Sequence, residues 1–185
     1  MKKNSLFASM ASKAFALAAA MMMSVAFTAC SSDDDYVVPP VANTVTINDR
    51  VMPVVSAEYR TFGSSQEVFN LFLNIDGENY VLLGGSTALH IGRDINLATK
   101  EPAGKKDYWI VGFFDADSDD WLFQTNGNPT LANPAFTSGT LRMDGNPIGG
   151  EVTVSLKNGK ITDAVNGDGK ERTISINWKG TAKKL

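Results

Sequence analysis

The feature that most limits the fold of this chain is an alternation of apolar and polar residues with a period of two. Phe69, Leu71, Leu73 and Ile75 occupy every second position of one stretch. Successive side chains of a β-strand point to opposite faces, so these residues share one face of a strand. The same pattern recurs in four further stretches: Val45 and Ile47; Val55, Ala57 and Tyr59; Val152, Val154 and Leu156; Ile174, Ile176 and Trp178. No stretch after residue 30 keeps a helical period over three turns, and the chain is therefore predicted to be all-β.

Turn signals separate these stretches. Asp76-Gly77 and Asn158-Gly159 are dipeptides typical of tight hairpin turns, and each is followed by apolar residues. Both are predicted to close a hairpin. Residues 108–114 are apolar at nearly every position, which predicts a central strand that is covered on both faces.

About nine or ten short strands in one domain predict an antiparallel β-sandwich, with a small β-barrel as the alternative. Two longer segments, residues 98–106 and 125–135, favour the sandwich. Segments of this length suit crossings between two sheets better than the tight turns of an up-and-down barrel.

The N-terminal segment has a different character. Lys2, Lys3 and Lys13 are followed by sixteen uncharged residues, 14–29. As a helix this run would extend about 24 Å, which is short of the hydrocarbon core of about 30 Å. A basic start, an apolar middle and small residues at the end are typical of a secretory signal peptide.

The end of this run carries the only cysteine, in the sequence Phe27-Thr28-Ala29-Cys30. It resembles the lipobox of bacterial lipoproteins. The resemblance implies that Cys30 carries a diacylglycerol thioether and a fatty acyl group such as palmitate, and that the chain is cut before Cys30. A signal peptide followed by an incidental thiol is the alternative. An unpaired cysteine in an exported protein needs a reason, and acylation supplies one.

Four residues just after the cysteine, Ser32, Asp33, Asp34 and Asp35, form an acidic cluster. The cluster is similar to the export signal of Bacteroidota lipoproteins that are displayed on the cell surface. The resemblance implies an outer-membrane lipoprotein exposed to the outside. The alternative is a charged, solvated tether on a protein anchored in the periplasmic leaflet.

The remainder resembles uncharacterised Bacteroidota surface lipoproteins with a single β-domain. The resemblance rests on three stretches: residues 92–97, residues 138–141 and residues 174–180. It implies a fold and a location but brings no active site. The predicted organisation is a signal peptide at 1–29, a lipidated flexible tether at 30–43 and one β-sandwich domain at 44–185.

Charge excludes some partners. Of the 185 residues, 156 remain after the first 29 are removed, and the formal net charge changes from −3 to −6 because three lysines and no acids are lost. Nucleic acids and anionic membrane surfaces are bound through Lys/Arg patches. Neither is expected as a partner of the folded domain, and the membrane is expected to be reached through the lipid anchor alone.

The acidic run Asp115, Asp117 and Asp119 places carboxylates at alternate positions, as at the start of a calcium loop. An EF-hand would need Gly where Asp120 stands and Glu where Asn126 stands. The run is therefore predicted to be an acidic connection between two strands, with a calcium loop of another type as the alternative. No cofactor is expected.

No catalytic motif is recognisable. His90 is the single histidine, no G-x-S-x-G elbow is present, and zinc would need more ligands of the right kind. Gly84-Gly85-Ser86-Thr87 lacks the lysine of a phosphate-binding loop and is expected to form a turn. The chain is predicted not to be an enzyme.

Aromatic residues are the remaining candidates for binding. Trp109, Trp121 and Trp178 could stack on sugars if exposed, although filling the core is the favoured role for them and for Phe113, Phe114 and Phe123. The leading hypothesis is a non-catalytic binding or structural module on the cell surface, with a glycan or a surface protein as partner. One alternative is a glycan-binding module that uses exposed Trp. Another is a fimbrial subunit precursor matured by cleavage after Arg50.

Overall fold

Two six-stranded β-sheets form the domain. The computed structural model describes residues 42–64, 66–105, 107–132, 135–165 and 167–185, all within one compact unit. The elements in chain order are β1 (Thr44–Ile47), β2 (Arg50–Pro53), β3 (Ser56–Phe62), β4 (Val68–Asn74), β5 (Tyr80–Ser86), α1 (Thr87–His90), β6 (Asp94–Asn96), β7 (Ile110–Asp115), β8 (Asp120–Asn126), β9 (Ser138–Gly145), β10 (Glu151–Thr162), β11 (Glu171–Thr181) and β12 (Lys183–Lys184).

Sheet A has the strand order β2-β1-β11-β10-β9-β6, and sheet B has the order β12-β3-β4-β5-β7-β8. All neighbouring strands are antiparallel except β12, which runs parallel to β3. The sheets pack together without closing into a barrel, so the predicted all-β sandwich is confirmed. The described residues form twelve strands where nine or ten were predicted, and β6 and β12, with three and two residues, are too short to show an alternation.

The core lies between the two sheets and is built from the alternating residues. In β4 the buried positions are Phe69, Leu71 and Leu73, as predicted, and Ile75 continues the row. The matching rows of sheet A come from β1, β10 and β11. Val55 is an exception, since it lies outside a strand and is 63 % exposed.

The connections between sheets follow the prediction in part. Residues 97–109 link β6 of sheet A to β7 of sheet B, and residues 127–137 link β8 of sheet B back to β9 of sheet A. Both predicted crossings are therefore confirmed. Thr125 and Asn126, which were assigned to the second crossing, belong to β8 instead.

Asp76-Gly77 closes the β4–β5 hairpin, as predicted. The Asp76 carboxylate accepts hydrogen bonds from the backbone N–H groups of Asn79 (2.7 Å) and Glu78 (3.0 Å). The bond from Asn79 is the main reason why the pKa of Asp76 lies below its usual value. The carboxylate thus takes up the backbone donors of the turn.

Asn158-Gly159 does not form the predicted hairpin. Both residues lie within β10, where the register against β11 and β9 shifts by one residue. Asn158 has a positive φ of 53°, and a Cβ on Gly159 would lie 2.7 Å from Ile174 Cγ2. The dipeptide therefore forms a β-bulge in one long strand, because a left-handed residue followed by Gly satisfies a bulge as well as a turn.

Two other sequence predictions are corrected. β7 is not covered on both faces: it lies next to the edge strand β8, and only one of its faces, with Val111 and Phe113, contributes to the core. Gly84 and Gly85 lie inside β5 and not in a turn; only Thr87 falls in the single helical turn α1.

The segment that leads into β11 covers the outer backbone edge of strand β8. The buried Asp163 accepts a hydrogen bond from the Gln124 N–H through Oδ2 (3.0 Å) and one from the Val165 N–H through Oδ1 (2.9 Å). Arg172 donates to the Leu122 carbonyl at 3.4 Å and forms a bidentate pair with Asp168. These side chains occupy backbone groups that an edge strand would otherwise offer to another chain.

Candidate ligand-binding face

The outer face of sheet B carries a cluster of four aromatic side chains, which we call the aromatic platform: Phe72, Tyr80, Phe114 and Trp121. They come from β4, β5, β7 and β8. All four are half-buried, and none belongs to the core cluster between the sheets. The rings therefore pack on one another outside the core.

Tyr80 is the centre of the platform. Its ring is stacked on Phe114 with centroids 5.2 Å apart, and Phe72 and Trp121 meet it edge-on at 5.7 and 5.8 Å. Such stacked and edge-to-face pairs are favourable geometries for aromatic rings. Burial raises the pKa of the Tyr80 phenol further above neutrality, and the protonated hydroxyl can donate a hydrogen bond.

Trp121 lies across a glycine of the neighbouring strand. A Cβ on Gly112 would stand 2.7 Å from Cζ3 of the indole, so only glycine leaves room for the ring. A register shift between Phe113 and Phe114 places Trp121 opposite Phe114. The glycine and the bulge together hold the indole on the sheet surface.

A pocket of about 240 Å³, with apolar walls that include Val68 and Leu131 and several amide side chains, continues the platform along the same strands. We call it the asparagine pocket; it is lined among others by Asn70, Asn126, Asn128, Asp107, Tyr108 and Ile110. Asn70 and Ile110 stand on either side of Gly84, where a Cβ would lie 2.9 Å from Asn70 Oδ1 and 3.0 Å from Ile110 Cβ. Because Gly84 has no side chain, the backbone of β5 forms the bottom of the surface between these two side chains.

A larger cleft of about 970 Å³ opens at one end of the sandwich. Its lining includes Ile47 and Met52 from sheet A and Ile75 and Phe113 on the sheet B side. Arg50, Asp76, Glu78, Asp115 and Asp117 also line it. The cleft thus combines apolar residues of the core with charged residues of the end loops.

The predicted acidic connection is the turn between β7 and β8. Asp115 ends β7, Asp120 begins β8, and Asp119 has a positive φ of 51°. The Asp115 carboxylate accepts a hydrogen bond from the Asp117 N–H at 3.3 Å. Among the described residues, no three Asp, Glu, His or Cys side chains are grouped so that they could hold a metal ion.

His90 ends α1 and lies in a buried hydrogen-bond network. Its Nδ1 accepts a hydrogen bond from the Ser86 N–H at 2.8 Å, so the ring proton is on Nε2, 3.1 Å from Glu101 Oε2. Burial would raise the pKa of Glu101, but hydrogen bonds from Lys105, His90 and the Trp109 N–H together hold that pKa below its usual value. Both nitrogens of His90 are engaged, and the network ties α1 to the crossing that leads into β7.

The three tryptophans of the chain lie in different environments. Trp109 is 0 % exposed and Trp178 is 6 % exposed, and both belong to the core. Trp121 alone lies on the outer face. Phe72 and Tyr80, which were not singled out from the sequence, complete the platform. The signal that could have identified Phe72 is its place between Asn70 and Asn74 on the polar side of β4.

The residues of the predicted anchor and export signal, Cys30, Ser32, Asp33, Asp34 and Asp35, lie outside the described residues.

Asn43, placed by the sequence in the tether, is bonded to the sandwich: its carbonyl accepts from the Val54 N–H, and its Oδ1 accepts from the Lys179 N–H, both at 2.9 Å. In the described part of the chain, no helix is long and apolar enough to cross a bilayer.

Comparison of the chain with models of protein families, with curated proteins and with solved structures finds no match. The fold therefore assigns the protein to a structural class, the all-β sandwiches built from two open sheets.

Proposed function

We propose that the chain is a non-catalytic lipoprotein of the outer membrane, displayed on the cell surface, whose β-sandwich binds a partner through the aromatic platform. The anchor part of the proposal rests on the sequence around Cys30. The binding part rests on the outer face of sheet B. The two parts are independent and can be tested separately.

The observation that carries the binding part is the position of the platform. Four aromatic rings lie on the outer face of sheet B, outside the core cluster between the two sheets. An apolar patch with a polar margin on the surface of a soluble domain is typical of an interaction site. Aromatic side chains are also the residues that most often dominate binding energy at such sites.

The physics of acylation supports the anchor part. Each buried methylene contributes about 0.8 kcal/mol, and one acyl chain alone gives only marginal retention on a membrane. A diacylglycerol thioether on Cys30 with a further acyl group would bring two or more chains. Such an anchor holds a protein on its membrane stably.

Substitution Cys30→Ser is expected to abolish membrane attachment. The wild-type protein should partition into the detergent phase in Triton X-114 and show a mature N-terminus at Cys30 by mass spectrometry, whereas the variant should stay in the aqueous phase. Ser31→Ala is the matched control and should behave like the wild type, because the neighbouring side chain carries no lipid. A Cys30→Ser protein that remains in the detergent phase would contradict the anchor.

Protease treatment of intact cells distinguishes the two faces of the outer membrane. A surface-displayed domain is digested, whereas a domain in the periplasm survives. Changing Asp33, Asp34 and Asp35 together to Asn should convert the first result into the second if the cluster directs export. If the domain of this triple variant is still digested, the acidic cluster does not direct export and serves only as a charged tether.

The position of β1 favours one second candidate, a fimbrial subunit precursor. β1 is hydrogen-bonded to β2 on one side and to β11 on the other, and its Val45 and Ile47 reach the core. Arg50 is exposed at the start of β2. Cleavage after Arg50 would release β1 and leave a groove that a strand of another copy could fill. A mature terminus at Val51, with heat-sensitive polymers on gels, would favour this candidate over the binding module.

A further inference from the structure

We propose that the aromatic platform and the asparagine pocket together bind an uncharged oligosaccharide. This inference names the partner class of the proposed binding face and rests on the binding part of that proposal. It does not depend on the lipid anchor.

The shape of the surface suits a chain of sugars. Tyr80, in the platform, and Gly84, between the two sides of the pocket, are on the same strand and four residues apart. At a rise of about 3.3 Å per residue, their separation is about 13 Å. This distance fits a short oligosaccharide better than a single sugar.

The apolar half of the surface has the chemistry to stack on a sugar ring. The face of an aromatic ring carries partial negative charge. The C–H groups on one face of a pyranose carry partial positive charge and form a flat apolar surface. Trp121 brings such a ring to the edge strand β8, where Phe114, stacked on Tyr80, supports it from the neighbouring strand. The Tyr80 hydroxyl can donate to a sugar oxygen.

The polar half of the surface is rich in amides. Asn70, Asn126 and Asn128 line the pocket, and their amide NH₂ groups can donate to neighbouring hydroxyl groups, whereas Asn126 Oδ1 already accepts from the Asn128 N–H at 2.9 Å. Asn128 Oδ1 also accepts bonds from the N–H and the hydroxyl of Thr130, which fix its orientation. A pocket with an apolar wall and several convergent polar groups is the usual form of a small-ligand site.

The charge of the surface selects an uncharged ligand. No ionisable group other than the Tyr80 phenol belongs to the platform, and the carboxylate of Asp107 in the pocket can accept from hydroxyl groups but repels anions. At the margin, the neighbouring strand β3 carries one negative and one positive residue, Glu58 and Arg60. They lie opposite Phe72 and Asn70 in the strand register. An acidic polysaccharide would meet no excess of positive charge here.

The test is affinity gel electrophoresis of the detergent-solubilised full chain, with neutral polysaccharides (glucan, mannan, xylan, galactan) or anionic polygalacturonate in the gel. We expect retardation by at least one neutral polysaccharide and none by polygalacturonate. Trp121→Ala should weaken this binding about tenfold or more because it removes a stacking ring. Asn70→Asp, which keeps the size of the side chain and replaces its donors with a charge, should weaken it to a similar degree.

Phe62→Ala is the matched control, since Phe62 is an exposed aromatic residue of sheet B outside the platform and the pocket. It should bind like the wild type, and thermal unfolding should show all three variants folded. Binding to none of the neutral polysaccharides, binding to the anionic one alone, or binding unaffected by both site variants would overturn the inference. So would a dimer in sedimentation experiments that Trp121→Ala dissociates, because a second copy would then occupy the face.

These outcomes are separable from the failure of the anchor. A protein held on the membrane through Cys30 that binds no polysaccharide contradicts the sugar inference alone. A protein that binds a neutral polysaccharide but carries no lipid contradicts the anchor alone.

Discussion

Trp109→Ala is expected to destabilise the domain by about 3–5 kcal/mol, the usual cost of removing a large aromatic side chain from a core. Trp109 is fully buried, and its indole packs so closely on Gly127 that a Cβ there would lie 2.6 Å from Nε1. The Nε1 group makes no hydrogen bond among the described residues, so the loss is a loss of packing. Against a total stability of about 5–15 kcal/mol, the change removes a large fraction.

Trp121→Ala provides the matched comparison, because it removes the same side chain from the outer face. Its cost is expected to be about 1 kcal/mol, since the half-buried ring loses its contacts with Gly112, Tyr80 and Phe114 but leaves no cavity in the core. Urea denaturation followed by circular dichroism gives both values. Equal losses for the two variants would show that Trp121 also belongs to a closed core and would remove it from the binding face.

Asp163→Asn is expected to cost about 2–3 kcal/mol, because the carboxylate is 1 % exposed and each of its oxygens accepts a backbone hydrogen bond. An asparagine keeps one acceptor and presents an NH₂ group to the other N–H. One donor would thus be left without a partner inside the protein. Because Asp163 holds the edge strand β8 through the Gln124 N–H, weakening of this contact should also make the variant self-associate more readily than the wild type.

The measurement combines urea denaturation with light scattering at increasing protein concentration. Asp144→Asn is the control: Asp144 pairs with Arg142 on the surface, with about half of each side chain exposed, and such pairs contribute little. A variant Asp163→Asn with unchanged stability would mean that the segment 163–172 does not hold the edge of β8.

The strands and the buried row of each strand were largely predictable from the sequence, because period-two alternation assigns residues to faces. The row Phe69, Leu71 and Leu73 illustrates this point. Alternation fails where the backbone departs from a regular strand. Asn158-Gly159 reads as a turn, but the bulge in β10 requires the same residue types, and only the pairing with β9 and β11 distinguishes the two.

The binding face was less predictable. In β7, Phe113 and Phe114 are neighbours in the sequence, yet one faces the core and the other belongs to the platform. The sequence shows that they point in opposite directions but does not show that only one direction is covered by a second sheet. The bulge that brings Trp121 opposite Phe114, and the glycine beneath its ring, are properties of strand pairing across the sheet.

The way the chain enters the sandwich has a mechanical consequence. β1 is the first strand and is bonded along both edges, and Asn43 in front of it is held by β11 and by the residue that follows β2. A force that pulls on the N-terminal end acts along β1. It places the backbone hydrogen bonds from β1 to β2 and to β11 under shear at the same time. The domain should therefore resist such a pull cooperatively, whereas a strand loaded across its length would peel away one bond at a time.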